Sequence, residues 1–210
     1  MPIDLSQLVD PSHTALLTVE VQNAVVGRGS VLPALAEAVA ASDMLANIAA
    51  LARAARKAGV PVIHCTAEAR PDGFGANRNA KLFAVANKAR TGKAAPVGAF
   101  DVHADVGAEP SDIVLPRAHG ASPMTGTSLD TILRNEGITT IVATGVSLNV
   151  ALLGLVFDAV NRAYQVVIPR DAVAGVDATY ADAVLENTVS MLGTVTTTAA
   201  VADLWSRSRD

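Results

Sequence analysis

From Thr140 to Ala151 the chain runs through a β-branched strand that stops at Gly145, a single turn (Val146, Ser147), and an apolar helix that continues past Asp158. A strand that turns at once into a helix is the corner of an open parallel sheet, where ligands gather outside the carboxyl end of the strand and the amino end of the helix. The same alternation runs through the chain. Strands are predicted over 14–21, 60–65, 111–115, 138–144, 165–168 and 195–197. Helices are predicted over 33–57 (with a break near Ser42 and Asp43), 80–90, 128–135, 148–162, 178–192 and 198–206. Strands separated by helical runs predict an α/β fold built on a doubly wound parallel sheet.

Half of the 210 residues are hydrophobic but only 3% are aromatic, so Ala, Val, Leu and Ile must fill the core. Such a core suits parallel strands covered on both faces by Ala-rich helices, a Rossmann-like three-layer α/β/α sandwich. No shift in composition divides the chain, which reads as a single domain over 1–210. The net charge of −4, with no basic run, argues against a nucleic-acid or membrane-surface partner and leaves a small molecule. Cys65 is the one cysteine, which excludes an internal disulfide. The start, Met1 to Leu5, has neither a basic stretch nor an apolar run, so a cytoplasmic protein is expected. The four histidines (13, 64, 103 and 119) lie far apart, without metal-ligand spacing, and neither a metal nor another cofactor is expected.

Chemistry-bearing residues sit where strands end. Glu20 closes an otherwise apolar strand and is followed by Gln22 and Asn23. A carboxylate there must be paired, hydrogen-bonded or at a pocket mouth. His64 and Cys65 alternate in facing, so at most one reaches a cleft, and a small buried thiol acting as a hydrophobe is the favoured reading of Cys65. The polar, Gly/Pro-rich stretch 66–79, with Arg70, is long enough for a lid. Arg117, His119 and Met124 lie on the loop that leads to Thr127, read as a helix N-cap. At the central corner stand Ser147, Asn149 and Ala151, and the methyl group of Ala151 can neither attack nor carry a proton.

Three segments, in this order, resemble the isochorismatase-like, or cysteine hydrolase, superfamily. They are Leu16 to Asn23, Ser122 to Ile138, and Gly145 to Ala151 continued by Asp158, Ala159 and Tyr164 to Ala172. The resemblance spans about Thr14 to Trp205. It implies a six-stranded parallel sandwich assembled as a homodimer or homotetramer, and an Asp, Lys and Cys acting on amides, ureas or carbamoyl compounds. All three positions differ here. Glu20 replaces Asp, Arg117 (or Ala118, by ungapped count) stands at Lys, and Ala151 stands at the nucleophile. Without a thiolate, no acyl-enzyme can form at residue 151. The resemblance also implies a non-proline cis peptide between Val146 and Ser147, an anion hole from N–H groups near Asn149 to Ala151, and, by analogy with family members lacking the cysteine, protonation of a vinyl ether by the strand-one carboxylate.

Two functional readings follow. The first is a cofactor-free hydrolase in which Glu20 activates water by acid/base chemistry and Arg117 holds an anionic or carbonyl group. Gln22, Asn23, Cys65, Arg70, His119, Met124, Ser147 and Asn149 would then contact substrate. The second is a catalytically inactive ligand-binding or scaffold protein, which a Glu20–Arg117 salt bridge filling the cleft would favour. Cys65 and Ser147 are substitute nucleophiles in a variant of the first reading, with N-capping the stronger reading of Ser147.

Overall fold

The computed structural model describes residues 4–90 and 94–207; Met1 to Ile3, and part of the irregular stretch expected over 92–110, lie outside the described residues. Six strands, β1 (Thr14–Val19), β2 (Val62–Ala67), β3 (Ile113–Arg117), β4 (Thr140–Gly145), β5 (Gln165–Pro169) and β6 (Thr194–Thr196), form an all-parallel sheet in the order β3-β2-β1-β4-β5-β6. Between and around them run α1 (Leu5–Leu8), α2 (Asn23–Val26), α3 (Pro33–Ala40), α4 (Met44–Ala58), α5 (Lys81–Arg90), α6 (Leu129–Asn135), α7 (Leu153–Asn161), α8 (Ala178–Val184), α9 (Ser190–Leu192) and α10 (Thr198–Arg207). The strand order reverses at β1 and β4, so the crevice opens there, at their carboxyl ends.

Alternate side chains of each strand feed two apolar layers. Ala15, Leu17, Val19, Ile63, Cys65, Ile141, Ala143, Val166 and Ile168 pack toward α6, α7 and α8. Leu16, Val62, Val142 and Val167 pack toward α1 to α4 and α10. All six residues of β1 are buried, as a strand covered on both faces requires.

Several boundaries differ from the sequence reading. β2 and β3 both begin two residues later than expected and run two residues further, which places Arg117 on a strand rather than in a loop. Pro116 is tolerated there because β3 is an edge strand. The long Ala-rich run does break near Ser42 and Asp43 as expected, into two helices bent by 70°. At the bend the Ser42 hydroxyl donates to Val39 O and accepts from the Met44 N–H, competing with the helical ladder. The segment before β1 is anchored to the C-terminal helix: buried Trp205 donates Nε1–H to Val9 O at 2.8 Å. The 148–162 helix opens with a π turn over Leu148–Leu152, and the 178–192 helix is interrupted by another over Leu185–Val189. Among the described residues no single helix is long and apolar enough to cross a membrane.

At the crevice β1 and β4 approach so closely that Gly145 is required. Its φ is +106°, and a Cβ built there would lie 2.3 Å from Val19 O. The expected outcome of Gly145→Ala is a loss of about 3 kcal/mol or more of unfolding free energy in denaturant titrations; a loss below about 1 kcal/mol would show that the crevice relaxes.

On the α4 side, buried His64 bonds through Nδ1 to Thr18 Oγ1 (2.7 Å) and through Nε2 to Asp112 Oδ2 (3.1 Å). Arg56 grips the same Asp112 through Nε and Nη2 at 3.1 and 2.6 Å, and also reaches Glu109 and Gly107 O. This network fastens the irregular segment before β3 to the sheet. Burial holds His64 below the ordinary imidazole pKa, against the opposing pull of Asp112. Burial raises Asp112, but hydrogen bonds from Arg56, the Glu109 N–H and His64 outweigh it and leave the carboxyl below its usual range. A histidine with a depressed folded pKa contributes stability above its unfolded value, about 6.5, and loses it as pH falls further. Melting temperature is therefore expected to hold steady between about pH 8 and 7 and to fall from about pH 6.5 toward 5; a flat profile across that window would contradict the assignment.

Candidate active site

β1 ends at Val19, one residue before the carboxylate, and the chain leaves the sheet through Glu20 in a left-handed conformation, φ +54°. A non-glycine residue holds that conformation only where its surroundings fix it. Here the Glu20 N–H donates to Cys65 O at 2.8 Å. The Gln22 amide then clasps Ala67 from both sides, donating to its carbonyl at 2.8 Å and accepting from its N–H at 2.6 Å. Gln22 thus extends the β1–β2 ladder with a side chain. Asn23 ties the next turn down by donating to Gly98 O at 2.9 Å.

Arg117, at the end of β3, meets Glu20 in an ion pair through Nη2 and also donates from Nη2 to Ala121 O at 2.8 Å. The arginine side chain is 3% exposed and the glutamate 15%. Nε and Nη1 of Arg117 are buried, with no hydrogen-bond partner among the described residues. Buried guanidinium N–H groups are costly unless an acceptor satisfies them. Both members of the pair line a cavity of about 120 Å³ together with Ala118, His119, Ser147 and Ala151. Ala118, the alternative to Arg117 by ungapped count, adds only a methyl group.

The cover of this cavity comes from the 66–79 stretch, expected as a lid, and from α5, which the sequence reading did not assign to the site. Leu82, Phe83, Ala86 and Asn87 of α5 close one side, and Glu68, Ala69, Ala76 and Asn77 of the preceding loop another. Asn77 joins the parts: its Oδ1 accepts from the Gly120 N–H (2.8 Å) and its carbonyl accepts from Asn87 Nδ2 (3.0 Å). The lid expected over 66–79 therefore continues into α5. The signal available in the sequence was the weakly amphipathic run after Asn79, whose apolar side had no other core to join.

Other expected contacts go elsewhere. Gln22 and Asn23 are engaged with backbone, as above. Met124 is buried in the α6–α7 layer. Cys65 lies in the same layer, and burial pushes its thiol up to about 12, beyond what Arg117 draws down, so it is not poised as a nucleophile. Arg70 pairs with Asp72 and borders an adjoining surface hollow rather than the cavity itself. Asn149 faces Gly175. Ser147 occupies the N-cap position, joined to Val146 by a cis peptide, but its side chain makes no capping bond and lines the cavity. Among the described residues no group of three or more His, Cys, Asp or Glu is placed to hold a metal.

A carboxylate just beyond β1 and a guanidinium at the end of β3 thus share one cavity with the first turn of the helix after β4. The isochorismatase domain model matches residues 14–200, and the chain belongs to the isochorismatase family of hydrolases. It is 33% identical over 209 residues to the ureidoacrylate amidohydrolase RutB of Methylobacterium radiotolerans, covering 91% of this chain and 79% of that one. It is 29% identical to the RutB of Enterobacter sp. (strain 638) over 206 residues, 92% and 89% of the two chains. A cysteine hydrolase from Pseudomonas syringae pv. phaseolicola superposes with a TM-score of 0.82 at 25% identity, over 99% of this chain and 96% of that one.

If the pair is a buried interaction rather than a surface contact, a double-mutant cycle with Glu20→Gln and Arg117→Met should return a coupling of about 2 kcal/mol or more in unfolding free energy. A coupling below about 0.5 kcal/mol, the range of exposed pairs, would show that solvent screens it.

Proposed function

We propose that this chain hydrolyses a small amide or ureido compound by direct attack of water, with no covalent intermediate at residue 151. The observation that carries the reading is the Glu20–Arg117 pair at the floor of a cavity whose wall at the helix turn is the methyl group of Ala151. A carboxylate facing a guanidinium is in its acceptor form, which suits it to take a proton from water rather than to give one to a vinyl ether. Of the two acid/base roles open to Glu20, the ion pair thus favours the base. Arg117, which also holds Ala121 O through Nη2, fixes the position of that carboxylate beside the cavity. The similarity to ureidoacrylate amidohydrolases supports amide and ureido compounds as the substrate class.

The same ion pair supports a second reading, a pocket that binds such a compound without turning it over, because Arg117 and Glu20 satisfy one another across the crevice. Turnover measurements separate the two. Against a panel of ureido acids, carboxamides and vinyl ethers, the parent is expected to cleave a ureido or amide member, and Glu20→Gln to lower kcat by about 10²- to 10⁴-fold. Ala151→Cys is expected to accumulate an acyl adduct on the new thiol. Stabilisation of the parent by a panel member without turnover would establish the binding reading, and cleavage unaffected by Glu20→Gln would remove Glu20 from the chemistry.

A further inference from the structure

We propose that His119 is the acid that protonates the departing nitrogen, completing a two-residue acid/base system with Glu20; this rests on the reading of Glu20 as the base. His119 lines the same cavity as Glu20, Arg117 and Ala151. Although it lies on a solvent-facing loop, its backbone is held on both sides. Arg117 belongs to β3, the Gly120 N–H is bound by Asn77, and Ala121 O is bound by Arg117. Its ring is seated over Gly126: a Cβ built at that glycine would lie 2.8 Å from Cε1 and 3.4 Å from Nε2. The glycine therefore makes room for the imidazole and limits where it can swing. Neither ring nitrogen has a hydrogen-bond partner among the described residues, so no structural bond accounts for the placement.

The other polar wall residues cannot fill this role. Arg117 keeps its protons, Asn77 is bound to Gly120 and Asn87, and an ionised Glu68 is an acceptor only. The Ser147 hydroxyl is too weak an acid to protonate a leaving amine. An imidazole exchanges protons in both directions, which the step needs. Water adds its oxygen to the carbonyl carbon as Glu20 takes one of its protons. The C–N bond then breaks, its electron pair goes to nitrogen, and the imidazolium of His119 supplies that nitrogen with a proton. Loss of the Glu20 proton to solvent and uptake of one by His119 restore the starting state.

The test uses two substrates with one acyl group: the ureido or amide compound cleaved in the panel, and its nitrophenyl ester or carbamate, whose leaving group departs without a proton. His119→Asn is expected to lower kcat on the amide about 10²-fold, and by at least about 30 times more than on the activated ester. Glu20→Gln is expected to slow both substrates. Equal losses on the two substrates with His119→Asn, or none on the amide, would overturn the role of His119 and leave Glu20 standing. Unaltered rates with Glu20→Gln would overturn the base, and a parent that cleaves neither compound would overturn both.

Discussion

A carboxylate at the tip of the innermost strand survives beside an apolar core only with an opposite charge against it, and here that charge is Arg117. The arrangement depends on where two strands stop. β1 ends at Val19, so Glu20 can turn out through a left-handed residue, while β3 runs as far as Arg117, so a guanidinium comes level with it. Ala67 of β2 pairs in register with Arg117 and is itself clasped by Gln22. One glutamine side chain thereby links the geometry of both charged partners. The crevice is a consequence of strand ends held in register, with few functional side chains supplied by flexible loops.

Ala151 bears on what that geometry can achieve, because it makes the wall at the helix turn a methyl group. In a site with a cysteine, the carboxylate has a thiol proton to remove. With a methyl group there, the group left for the carboxylate to act on is, on the proposed reading, water. On the reading proposed above, a fixed base acts on developing charge without reorganising, and a methyl group at residue 151 forms no covalent adduct there. The one thiol in the chain does not compensate, because Cys65 is sealed in the layer beneath α6 and α7, where burial keeps it protonated.

Much of the architecture was legible because parallel strands buried on both faces write themselves as apolar runs, and Gly145, Gly59 and Gly137 punctuate them. The crevice was legible at Glu20, a charge at a strand end, and at Ala151, a methyl group at a helix turn, whereas Arg117, read on a loop, was marked out only by the family resemblance. Gln22, Asn23 and Met124 lie in motifs beside the crevice, but proximity in sequence did not distinguish a wall residue from one that braces the wall from behind. Boundary shifts of two residues in β2 and β3 hid Asp112, whose partners His64 and Arg56 come from elements about fifty residues away in sequence. The covering helix α5 was visible as a helix, but its place over the cavity depends on Asn77 reaching Gly120, a contact between separate segments that no local pattern records.

The most direct measurement is the intact mass of the parent protein, rapidly quenched during steady-state turnover of an amide or ureido substrate. Attack by water under the control of Glu20 predicts an unmodified chain at every time point. An acyl or carbamoyl increment on any side chain, populated at a rate compatible with turnover, would contradict it.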